Sequence, residues 1–237
     1  GYMERAKLDV FGFGIVKTTS SSIPSPSLED KTLDLLPVYD GRTYISEFDY
    51  PKESVWMVID KAFLVANSIT NLNGNSFSDG LFTTETLYYA GRIAVIPDEI
   101  YAYFQHSGSI LQRATPGHYR RLLTRYEATS RDFRLFREKI EPLNILPDAG
   151  VSRIKTKEVS YIFFMLVRAV KSDLSLSEIS QLLDRLAANK YYPIKGFIGE
   201  DYNGLTYSAL LFILNNRFLL YPAVIVYRTM VRLKNVF

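Results

Sequence analysis

The rhythm of apolar and polar positions changes near residue 114. Before it, short apolar runs alternate with clusters of Gly, Pro, Asn, Asp and Ser. After it, apolar residues recur at helical spacing. The run LDVFGFGIV (8–16) is apolar and β-prone and predicts a buried strand. TTSSSIPSPSLED (18–30) predicts a loop, and Asp40-Gly41 a turn. SVWMVIDKAFLVA (54–66) joins a strand-like start to a helical continuation, and Asn73-Gly74-Asn75 marks another turn. Residues 79–90 predict a helix, with Ser78 as N-cap and Gly91 closing the end. IAVIP (93–97) and IYAYFQ (100–105) predict two short strands with Asp98-Glu99 between them. In 117–140, Tyr119, Leu122, Tyr126, Phe133, Phe136 and Ile140 form one stripe at spacings of three, four and seven. Further helices are expected over 154–171, 175–189, 205–214 and 217–234, the third of these five opening at Ser175 or Ser177. The domain reading is therefore a mixed α/β part over 1–113 and an all-helical region over 114–237.

Composition changes this picture little. The 237 residues are 47% apolar and 22% charged, enough for a sizeable core and too apolar for a disordered chain. There is no cysteine, which excludes disulfides and thiolate metal sites. The opening GYMERAK lacks an apolar signal segment, and Met3 is internal, so the chain reads as a piece of something longer. No uninterrupted apolar run reaches the ~20 residues needed to span a bilayer.

Charge is uneven although the net value is only +3. Between Arg113 and Lys139, eight basic residues face three acids. From Asn203 onward, Arg217, Arg228, Arg232 and Lys234 are accompanied by no acid. The first run reads as a solvated face or a phosphate-binding one. The second reads as a core helix with arginines in water, or as a helix lying on the cytoplasmic face of an anionic membrane. Acids interrupt the first run and the net charge is small, so nucleic acid is not an expected partner.

Four residues carry candidate chemistry, each with a structural alternative. Asp79 opens a helix, where the macrodipole favours an acid and would keep a general base ionised. His106 follows a strand and precedes Ser-Gly-Ser, which suits a turn, a metal ligand or a phosphate contact. Arg113 could clamp a diphosphate or simply face solvent. Trp56, the one tryptophan, could fill the core or stack on a sugar. No P-loop, G-x-S-x-G or H-E-x-x-H string occurs, and F-G-F-G at 11–14 is followed by no helix start.

Taken in order, these segments resemble the C-terminal half of family 2 glycosyltransferases, especially bacterial enzymes of surface polysaccharide synthesis. The resemblance runs over residues 8–113. It rests on the LDVFGFGI strand, on Val55-Trp56 to Phe63-Leu64, on Phe77-Ser78-Asp79-Gly80-Leu81-Phe82, on Ala90 to Tyr103, and on Gln105-His106-Ser107-Gly108-Ser109-Ile110. It implies a GT-A type fold, here an incomplete mixed sheet with helices followed by an all-helical region. It implies inverting transfer from a nucleotide-sugar to a glycan or lipid-linked acceptor. Asp79 would be the base. His106, also as metal ligand, and Arg113 would approach the donor diphosphate, and Trp56 and Ser109 would line the substrate cleft. Ser78 stands where the family has Glu. The D-x-D metal motif, which would hold Mg or Mn in the intact enzyme, is expected before Tyr2 and does not occur in this chain. The chain by itself is thus expected to be inactive. The rival reading is a non-catalytic helical interaction module.

Overall fold

The computed structural model describes residues 1–19, 33–71, 78–105 and 115–234, with Ser78 represented by its backbone. His106, Ser109, Arg113 and the turn at 73–75 lie outside the described residues. The chain divides into two compact units, Gly1–Gln112 with Arg137–Arg153, and Arg113–Phe136 with Ile154–Phe237. This differs from a single break near residue 114, because the tip of a helical hairpin clusters with the first unit. Helical periodicity reports a helix but not which core each of its turns joins.

The first unit begins with the short helix α1 (Tyr2–Arg5) and strand β1 (Val10–Thr18). Helix α2 (Gly41–Glu47) follows, then β2 (Met57–Ile59), α3 (Lys61–Ala66), α4 (Ser78–Tyr89) and β3 (Ile93–Phe104). The described strands form a mixed sheet of order β2-β1-β3, with β1 antiparallel to β2 and parallel to β3. The chain is therefore α/β with a small sheet and a preponderance of helix.

Three local outcomes differ from the sequence reading. Asp40-Gly41 is a helix start, because the Asp40 carboxylate accepts from the backbone N–H of Arg42 and Thr43. Side-chain capping converts a turn signal into a helix boundary. The two short strands expected over 93–105 are one strand, Ile93–Phe104, whose register against β1 slips on either side of Gly14. Pro97 cannot donate to the ladder, and β3 bulges there instead of breaking. A Cβ on Gly14 would lie 2.9 Å from the Pro97 carbonyl oxygen, so glycine is what lets β1 pass the bulge. The helix expected from 154 begins at Asp148.

In the second unit the principal helices are α5 (Pro116–Ile140), α6 (Asp148–Lys171), α7 (Leu176–Ala188), α8 (Leu205–Asn215) and α9 (Arg217–Lys234), α5 and α6 giving their ends at 137–153 to the first. The predicted stripe of α5 buries Leu122, Tyr126 and Phe133. Tyr161 of α6 stacks on Phe133 at 5.6 Å. Two arginines of the basic run of α5 are met by acids from elsewhere in the unit. Arg120 meets Asp173 and Glu178, and Arg134 meets the buried Glu158 at 2.7 Å.

Candidate active site

Asp79 sits in the first turn of α4. Its Oδ1 accepts a hydrogen bond from Asn71 Nδ2 at 3.3 Å. The residue is half-exposed and forms no ion pair among the described residues. The free N–H groups of the first helical turn favour an anion at this place. Behind it the helix is anchored by a polar but sealed face: Thr83, Thr84 and Thr86 have no exposed surface. Thr84 Oγ1 donates back to the Gly80 carbonyl at 2.8 Å and lies 3.3 Å from the Tyr50 hydroxyl. Burial pushes the Tyr50 phenol up to about 12, with the Thr84 contact pulling the other way. The helix end that carries Asp79 is thus held by groups that stay neutral at physiological pH.

Helix α4 is also fixed at its far end. Gly41 N donates to the Ala90 carbonyl at 2.9 Å, and a Cβ on Gly41 would come within 1.7 Å of the Leu87 carbonyl oxygen. Only glycine permits that approach. The chain then turns directly into β3, where Tyr39 and Ile93 exchange backbone hydrogen bonds.

Trp56 is 1% exposed and belongs to the core. Its ring stacks near Tyr44 at 6.4 Å and lies against β1, where a Cβ on Gly12 would be 2.3 Å from Cζ3. The F-G-F-G string, with no helix start after it, has a structural cause at both glycines: Gly12 admits the indole and Gly14 admits the bulge. His106, Ser109 and Arg113 lie outside the described residues, so the geometry places Asp79 and Trp56 alone among the sequence candidates. Among the described residues no three metal-ligating side chains gather.

Sequence reasoning passed over a concavity in this unit whose lining does not include Asp79. A cleft of about 690 Å³ is lined by α1, by Asp9 and Phe11, and by Ile59, Asp60 and Lys61. Antiparallel pairing of Val10 with Ile59 brings the two flanking acids side by side, and Asp60 N donates to the Asp9 carbonyl at 2.9 Å. Both carboxylates serve the fold. Asp9 Oδ2 accepts from Gly91 N at 2.8 Å and Arg92 N at 3.0 Å, and Asp60 Oδ1 accepts from Phe63 N at 2.7 Å. The available signal was an acid at the end of each apolar run, but only the strand register joins them.

Comparison with known proteins adds no relative. No family model, curated protein or solved structure matches this chain.

Proposed function

We propose that residues 1–113 form the acceptor-side part of an inverting, GT-A type glycosyltransferase that acts from a nucleotide-sugar onto a glycan or lipid-linked acceptor of a surface polysaccharide. The observation that carries the reading is Asp79: a half-exposed carboxylate in the first turn of the helix that runs straight into the parallel strand of the sheet. That order of elements accords with the resemblance in the sequence.

In this reading the Asp79 carboxylate takes the proton from an acceptor hydroxyl. The acceptor oxygen forms a bond to the anomeric carbon, and the bond from that carbon to the diphosphate oxygen breaks. The nucleoside diphosphate leaves with the electron pair, and the configuration inverts. By the resemblance, His106 and Arg113 would bind the diphosphate and Ser109 the substrate. Mg²⁺ or Mn²⁺, held by carboxylates upstream of Tyr2, would neutralise the leaving group. The enzyme works at the cytoplasmic side, where nucleotide-sugars are made.

The test begins with the gene upstream of Tyr2, which should encode a D-x-D close by. The full product is then assayed with a panel of nucleotide-sugars. Asp79→Asn should lower transfer by about 10²–10⁴-fold, the usual worth of a general base, with the fold intact and a stability loss of no more than about 1 kcal/mol. Turnover retained in that variant would remove Asp79 from the chemistry and with it the proposal.

A further inference from the structure

Helices α8 and α9 turn an apolar face away from the protein. Among the described residues, ten of the 21 exposed large apolar side chains lie on these two helices. On α9, Leu220 and Val224 are buried, at 2% and 1% exposure. At 3.6 residues per turn, Phe218, Ile225, Val226 and Leu233 occupy an arc of about 100° on the opposite side. Phe218 is 90% exposed and Met230, at the edge of that arc, 64%. Phe212 extends the exposed apolar surface on α8.

The cations of this segment divide by task. Arg217 pairs with Asp184 at 2.6 Å, and Arg228 donates to the carbonyls of Ala169, Val170 and Leu174 at the end of α6. These two fasten α9 by its inner side. Arg232 and Lys234 are exposed, Arg232 directly beside the outer arc and Lys234 past Met230 at the end of the helix. No acid occurs from Asn203 to the end of the chain.

We infer that the outer face of α8 and α9 docks on an anionic lipid bilayer. An apolar face bordered by cations lies in the headgroup region, its side chains in the acyl boundary and its cations on lipid phosphates. Charge complementarity selects this occupant over a second copy, which would present an equally acid-free, basic face. The geometry selects lying over spanning. No single described helix is long and apolar enough to cross a membrane, and α8 and α9, which pass together by length and composition, are bent by 111°. The inference stands on these two helices and does not depend on Asp79.

Flotation with vesicles tests it. The 237-residue chain should bind phosphatidylcholine vesicles containing phosphatidylglycerol, weaken as salt rises, and bind pure phosphatidylcholine much less. Arg232→Ala with Lys234→Ala should weaken binding by roughly 30-fold, since each cation near an anionic surface contributes about 1 kcal/mol. Ile225→Ser with Val226→Ser should weaken it at least about ten-fold through lost apolar insertion, with the same melting midpoint. If that pair unfolds, the cation pair still decides, because both residues are exposed at the helix end. Failure to float, or equal binding to neutral vesicles, would overturn the inference. So would a dimer in sedimentation that the serine pair dissociates, which would assign the face to a second copy.

Discussion

At the scale of single residues, side-chain chemistry was readable and side-chain surroundings were not. Asp79 could be recognised as an acid opening a helix. That Asn71 holds it and that α4 is pinned through Gly41 follows from contacts across the unit. Trp56 illustrates the same limit, since its burial depends on the missing side chain at Gly12. Tyr50 gives a prediction at this scale. Its phenol titrates at about 12 in the fold against an ordinary 10.0, because burial opposes the phenolate. Above pH 10 the unfolded chain loses this proton while the folded chain keeps it. The contribution to stability is thus complete below pH 10 and declines as pH rises toward 12. Urea midpoints measured across that window should fall more steeply for the native chain than for Tyr50→Phe.

At the scale of elements, periodicity served well wherever a helix has one apolar face. Four of the five C-terminal helices appear close to their expected positions, and α6 begins six residues before the expected 154. Boundaries followed capping chemistry. Ser175 caps α7, with its hydroxyl accepting from Glu178 N at 3.2 Å and the Glu178 carboxylate accepting from Ser175 N at 2.8 Å. Ser175→Ala should cost about 1 kcal/mol, seen as a lower denaturant midpoint at unchanged slope. The sheet was harder. Asp98-Glu99 looks like a break in sequence, yet β3 continues through it because β1 offers a glycine opposite the bulge. Pairing between distant segments decides such a case, and no window along the chain contains both partners.

At the scale of the whole molecule, charge counted along the chain overstated the free positive surface. Part of the excess of basic residues in α5 is met by acids that lie far away in sequence, Arg120 by Asp173 and Glu178 and Arg134 by Glu158. A short DNA duplex should consequently bind no more tightly than about 100 µM at physiological salt, the weak end of non-specific association. A submicromolar Kd in fluorescence anisotropy would mean that these arginines are free for phosphate. The basic tail behaves differently, since Arg232 and Lys234 stay exposed beside an outward apolar face.

The sequence alone determined the helical periods, the Ser175 cap and the acid at the start of α4, because these depend on neighbours within a few turns. It also carried the order of segments on which the glycosyltransferase reading rests. Tertiary structure decided that β1 lies between an antiparallel and a parallel partner, and that 137–153 joins the first unit. It decided which arginines are neutralised and which face of α9 remains uncovered. Those outcomes depend on which distant surfaces meet, and burial and ion pairing exist only once they have met.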